Sequence, residues 1–135
     1  MKVIFACVHN AGRSRMAAAL FNHLAPDKSM AAISAGTQPA DRVHPEVVAV
    51  MSELDIDLSQ AQPQLLTKEL ASEADLLITM GCGESCPYVP GLKRLDWPLK
   101  DPKGQSIDDV RAIRDDIKER ISVLLKESAS RSSIK

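Results

Sequence analysis

The stretch Cys7-Val8-His9-Asn10-Ala11-Gly12-Arg13-Ser14 follows directly on the apolar run Val3-Ile4-Phe5-Ala6. That run lacks polar alternation, so it reads as a parallel strand covered on both faces. The strand empties into a tight loop, and a helix starts at about Arg13. A cysteine and an arginine bracket five residues, and a serine comes next. This spacing aims the backbone N–H groups of the loop at one centre, with the thiol below and the guanidinium beside it. The pattern predicts a tetrahedral-oxyanion site formed by Val8, His9, Asn10, Ala11, Gly12, Arg13 and Ser14. The same positive field favours the thiolate of Cys7, the form that acts as a nucleophile.

Composition narrows the setting. A chain of 135 residues is long enough to bury one core and fits a single domain. Its net charge of −1 provides no general basic field for nucleic acid or an anionic membrane. No apolar run is long enough to span a bilayer. The first residues lead into a strand rather than a signal-peptide pattern. Three cysteines, an odd number, argue against a secreted disulfide framework. The expectation is a cytoplasmic monomer without nucleic-acid or membrane partners, its cysteines kept reduced for chemistry.

Periodicity then organises the chain. Met16, Ala17, Leu20, Phe21 and Leu24 fall on one helical face, and Pro26-Asp27 ends that helix. A second short apolar run covers residues 30–34. His44-Pro45 starts another helix carrying Val47, Val50, Met51 and Leu54. Thr67 is a candidate cap for a short helix, and residues 76–80 form the cleanest buried strand. A fourth strand is expected over 93–97. Ser106 and Asp109 resemble a capping box that launches a helix with Ile107, Val110, Ile113, Ile117, Ile121 and Leu124 on one face. The expected domain is 1–127, with a serine-rich, flexible tail at 128–135. Strands alternating with helices predict an α/β fold of three αβα layers around a four-stranded parallel sheet. Ligands of such sheets sit at the carboxyl ends of strands, so the loops after Cys7, Met80 and Trp97 are expected to share one rim.

Cys7 to Ser14, Ser34-Ala35-Gly36-Thr37 and Asp101-Pro102 together resemble the low-molecular-weight tyrosine phosphatase superfamily, and within it the arsenate reductases. The likeness runs from residue 2 to about residue 125. It implies the phosphatase-like fold and arsenate or phosphate as the bound oxyanion. Phosphatases of this group usually place aromatic residues after Asp-Pro to hold a phenyl ring, whereas Lys103-Gly104 follows here. Cys82 and Cys86 stand after the third strand, where the reductases often carry redox cysteines. Thioredoxin-coupled members usually separate those cysteines by six residues and carry a first-helix glutamate that helps build a cation site. Here three residues intervene, and Ala18 occupies that approximate position. Met80-Gly81-Cys82-Gly83 looks more like members that use a low-molecular-weight thiol.

The resemblance implies no bound cofactor. Its electrons come from thiols: mycothiol with mycoredoxin, glutathione with glutaredoxin, or thioredoxin. The partners are then the oxyanion and a thiol-redox protein or small thiol. In its terms Cys7 attacks, Arg13 binds the oxyanion bidentately, Ser14 donates to the thiolate, and Asp101 protonates the leaving oxygen. Pro102 biases Asp101 to an extended conformation. Three readings of Cys82 and Cys86 stay open. Cys82 attacks the Cys7 sulfur and Cys86 resolves that disulfide; or an external thiol attacks and both are accessory; or they bind zinc. The last lacks a matching ligand pair, because His9, His23 and His44 are scattered, so no metal is expected. Arg42 and His44 are candidates for the mouth of the site, and Trp97 reads as packing beside the Asp101 loop. The alternative activity is a phosphotyrosine or aryl phosphatase using Cys7, Arg13 and Asp101 alone. A third reading, a non-catalytic oxyanion-binding module, predicts no alkylation advantage of Cys7 over Cys82.

Overall fold

The computed structural model describes residues 2–7, 12–25, 29–38, 40, 42–61, 63–80, 92–97, 99 and 104–133, with side chains through 127. Four strands form one parallel sheet: β1 (Lys2–Cys7), β2 (Ala31–Gly36), β3 (Leu76–Thr79) and β4 (Lys93–Asp96), in the order β2-β1-β3-β4. Among the described residues four helices connect and follow them: α1 (Arg13–Leu24), α2 (Pro45–Ser52), α3 (Lys68–Ser72) and α4 (Ile107–Ser133). β1 pairs with β2 on one side, from Lys2 opposite Ala31 to Cys7 opposite Gly36, and with β3 on the other. It is therefore bonded along both edges and covered on both faces, which is why its sequence is apolar without alternation.

Strand geometry splits β1 between two cores. Val3, Phe5 and Cys7 belong to the larger one, with Met16, Leu20 and Phe21 of α1, Val47 and Met51 of α2, and Ile117 and Ile121 of α4. Ile4 and Ala6 turn to the smaller one, with Leu66, Ala71 and Leu77. Successive side chains of a strand point to opposite faces, so α1, α2 and α4 cover one side and α3 the other. Phe5 anchors the larger core, with ring centroids 6.1 Å from Phe21 and 5.7 Å from Trp97. Trp97 is thus the packing residue that its position suggested. The connection leaves β1 for β2 on one side, and the chain later returns to β3 on the other. The gap between the carboxyl ends of β1 and β3 is the switch point of the sheet.

Caps form where the sequence placed them. The Thr67 Oγ1 accepts from the Leu70 N–H at 3.0 Å, and the Ser106 Oγ accepts from the Asp109 N–H at 3.2 Å. The amide of Asn22 holds the start of β2, donating to the Ala32 carbonyl at 2.9 Å and accepting from its N–H at 2.8 Å. α4 differs from expectation by running to Ser133, past the boundary read at residue 127. Serine is a middling helix former rather than a breaker, and neither glycine nor proline interrupts residues 107–133. Among the described residues no helix is long and apolar enough to cross a membrane.

α2 and α4 are tied by ions at their surface. Glu53 just beyond α2 accepts from Arg111 Nη2 at 2.7 Å and from Arg114 Nη1 at 2.7 Å. Arg114 also donates to the Val50 carbonyl at 2.8 Å. Bonds from Arg111 first, and then Arg114, pull the Glu53 carboxyl down from 4.5 to about 2. The stabilisation is therefore fully present above pH 4.5 and is lost as pH falls towards about 2. Urea unfolding of wild type and Glu53→Gln should show a midpoint gap at neutral pH that closes through this acid window and shrinks in high salt. A gap independent of pH would contradict it.

Candidate active site

The carboxyl end of β1 delivers Cys7 to the switch point with only 3% of its surface exposed. Its backbone is fixed twice over: it lies opposite Gly36, and its carbonyl accepts from the Thr37 N–H at 3.2 Å. The Cys7 Sγ stands 2.9 Å from the Ser14 Oγ, and Ser14 is fully buried in the first turn of α1. A hydroxyl at this distance, sealed from solvent, donates to a thiolate and stabilises its charge. Gly12 caps α1 without a side chain. The positive end of the helix lies on the side of the Cys7 sulfur, which Ser14 of its first turn meets. The first turn of α1 contains no acidic residue to offset that field.

Arg13 opens α1, and its Nη1 donates to the Leu99 carbonyl at 2.8 Å. The guanidinium is thereby drawn towards the segment that follows β4. A planar fork can keep such a bond while other N–H groups address an anion. Below this segment, the Thr79 Oγ1 at the end of β3 donates to Asp96 Oδ1 at 2.9 Å and fixes the exit of β4. Arg15, one residue past Ser14, is half-buried. Burial pulls its guanidinium below the ordinary range, and nearby Cys7 pushes back.

Of the residues singled out in the sequence, Cys7, Gly12, Arg13 and Ser14 are brought together at this strand end. Val8, His9, Asn10, Ala11, Cys82, Cys86 and Asp101 lie outside the described residues. His44 stands at the N-terminus of α2, while Arg42 and His23 are exposed. Among the described residues no three of His, Cys, Asp or Glu gather as metal ligands. Sequence reasoning missed two participants. The Leu99 carbonyl is a backbone group with no sequence signal. Arg15 carries the pattern of an ordinary helix-surface arginine.

A family model described as low molecular weight phosphotyrosine protein phosphatase matches residues 2–133. A Halobacterium salinarum protein provisionally named an arsenate reductase is 39% identical, over 91% of this chain and 89% of its own. A Synechocystis protein named glutaredoxin arsenate reductase is 36% identical, over 92% of this chain and 95% of its own. The solved structure of a Corynebacterium glutamicum thioredoxin-dependent arsenate reductase superposes with a TM-score of 0.80 and 42% identity over 93% of this chain. This chain spans 60% of the length of that Corynebacterium protein.

Replacing Ser14 by alanine removes the hydroxyl that stands 2.9 Å from the Cys7 sulfur and little else. A hydrogen bond to a charged group contributes about 1.5–3 kcal/mol. Alkylation of Cys7 by iodoacetamide at neutral pH should therefore slow by about tenfold or more in Ser14→Ala. An unchanged rate would remove Ser14 from the site.

Proposed function

The chain belongs to the low-molecular-weight phosphotyrosine protein phosphatase family, and from that membership we propose that it reduces arsenate to arsenite with electrons from thiols. The observation that carries the reading is the buried Cys7 Sγ held 2.9 Å from the Ser14 Oγ at the end of β1. It sets a thiol beside the N-terminus of α1, where a tetrahedral oxyanion is the natural partner. Relatives named arsenate reductases, matched along nearly the whole chain, favour arsenate over a phosphate ester. The later cysteines of the sequence favour it as well.

The chemistry divides into two steps. Arsenate enters the loop of Val8, His9, Asn10, Ala11 and Gly12, and Arg13 with the loop N–H groups meets its oxygens. The Cys7 thiolate attacks arsenic, a sulfur–arsenic bond forms, and one arsenate oxygen leaves as water after Asp101 supplies a proton. A second thiolate then attacks the Cys7 sulfur. The new bond is a disulfide, and the sulfur–arsenic pair stays on arsenic, which departs as arsenite. Two thiols have lost two electrons and arsenic has gained them. In the internal route the second thiol is Cys82, and Cys86 then attacks Cys82, freeing Cys7 and leaving a Cys82–Cys86 disulfide for an external reductant. In the external route a small thiol attacks the adduct directly. The donor systems to separate are thioredoxin, glutathione with glutaredoxin, and mycothiol with mycoredoxin.

A second reading is hydrolysis of an aryl phosphate by Cys7, Arg13 and Asp101. The family model favours it, and phosphate is nearly isosteric with arsenate. Parallel assays of arsenate reduction, with each donor system supplied separately, and aryl-phosphate hydrolysis distinguish the two. Wild type should reduce arsenate with at least one donor, and Cys7→Ser should fall to background. Asp101→Asn should lose about 10²–10⁴-fold in the first step. Loss in Cys82→Ser and in Cys86→Ser supports the internal route, and retention in both supports the external one. Phosphatase turnover without arsenite under every donor would overturn the reductase reading.

A further inference from the structure

One row of paired residues crosses the sheet immediately before the candidate site: Ala35 of β2, Ala6 of β1, Thr79 of β3 and Asp96 of β4. Cys7 follows Ala6 directly. Ala35, Ala6 and Thr79 are fully buried, and Thr79 is the polar member of the three. Both its backbone and its side chain reach the end of β4. The Thr79 carbonyl accepts from the Trp97 N–H at 2.8 Å, and its hydroxyl donates to Asp96 Oδ1 at 2.9 Å. The Leu95 carbonyl, 3.3 Å from the same hydroxyl, is the more distant acceptor. The backbone bond and the Trp97 ring packed on Phe5 already dock β4. What the hydroxyl adds is a hold on the carboxylate of Asp96, an exposed residue at the last position of the strand.

We propose that Thr79 is a positioning residue for oxyanion binding: through Asp96 it sets the segment whose Leu99 carbonyl holds the Arg13 guanidinium. Leu99 comes three residues after Asp96, a reach of at most about 10 Å. A tether this short passes a displacement at the strand exit on to Leu99. The Leu99 carbonyl accepts from Arg13 Nη1 at 2.8 Å. A guanidinium is planar and turns as a unit, so moving that one acceptor re-aims its other N–H groups. The bond at Asp96 holds because a fully buried hydroxyl is costly to leave without an acceptor, and a carboxylate is the strongest acceptor in reach. It also confines a side chain that would otherwise sample several rotamers in water. Thr79 itself touches neither Arg13 nor the anion in this account; it acts through β4. The inference rests on the reading of Arg13 as the group that meets the oxyanion, and it holds for arsenate and a phosphate ester alike.

The test is protection of Cys7 from iodoacetamide by inorganic phosphate in the whole chain, read by mass spectrometry on the peptide that carries Cys7. Wild type should show saturable protection. Thr79→Val, which exchanges the hydroxyl for a methyl group, should weaken phosphate at least about threefold, and Thr79→Ser should return it to within about twofold of wild type. Removing a negative charge near an anion site by itself tightens the anion, so Asp96→Ala is compared with Asp96→Asn, which has the same charge. Asp96→Asn keeps an oxygen that accepts from Thr79 and should bind phosphate at least about threefold more tightly than Asp96→Ala. In an Arg13→Lys background, where the fork is gone, Thr79→Val should change phosphate affinity by less than about twofold. Circular dichroism checks folding, and the Asp96 pair carries the test if Thr79→Val does not fold. Absence of protection in wild type overturns the oxyanion reading and the proposal together. With wild type protected, unchanged affinity in a folded Thr79→Val, or equal affinity in Asp96→Ala and Asp96→Asn, overturns the proposal alone. A loss that Thr79→Ser does not repair, or that persists in full beside Arg13→Lys, overturns it equally, since the threonine then acts on the fold at large.

Discussion

Everything at the candidate site depends on β1 being held along both edges and both faces. A strand in the middle of a parallel sheet has no freedom to slide, because a shift of one residue would exchange Val3, Phe5 and Cys7 for Ile4 and Ala6 between two cores of different shape. Pairing to β2 and β3 fixes where the strand stops, and it stops at Cys7. The helix that follows begins six residues later, and its first turn returns a serine hydroxyl to the sulfur. The Cys7 sulfur is therefore placed by the sheet and its electrostatic setting by the helix. Neither depends on a flexible side chain finding its position.

Much of this was legible in the residues, for reasons that can be named. An apolar strand without alternation has one physical meaning in a chain of this size, and the helical stripes of α1, α2 and α4 have another. Thr67 and Ser106 announced their helix starts because a hydroxyl before a helix has little else to do. The far end of α4 was less legible: residues 128–133 read as a tail because serine is frequent there, yet the backbone remains helical to Ser133. Composition is a weak guide where no residue forbids either state. Cys7, Arg13 and Ser14 were legible as a group because C-x5-R-S is a spacing constraint. The bond from Arg13 to the Leu99 carbonyl was not, since a carbonyl is common to every residue. Arg15 was hidden for the opposite reason: exposed arginines are frequent at that helical spacing, and only packing against β2 distinguishes this one.

Two arginines separated by one residue illustrate how position decides chemistry. Arg13 lies at the start of α1 with part of its fork bonded to a backbone carbonyl. Arg15 sends its Nε into the seam between α1 and β2, where nothing described answers it. The residue between them, Ser14, faces the sulfur. Successive helical residues are rotated by about 100°, so three neighbours in sequence address three different surroundings. Exchanging Arg13 for lysine would keep the charge and lose the planar donor geometry on which its contact depends.

The bond between Arg13 and Leu99 joins residues 86 positions apart. Ordering it requires that β3 and β4 be laid against β1, because Leu99 has no fixed place before β4 docks. Long closures are entropically unfavourable until the intervening contacts compensate them. Cys7, Arg13 and Ser14 are thus close in sequence, but Arg13 is held by a distant segment, and that contact belongs to the last stages of folding. A nascent chain released to residue 40 already contains Cys7, Ser14 and Arg13, but it lacks the carbonyl that orients the guanidinium. Competence at this site is consequently a property of the finished sheet, and a partly folded chain carries the motif without its geometry.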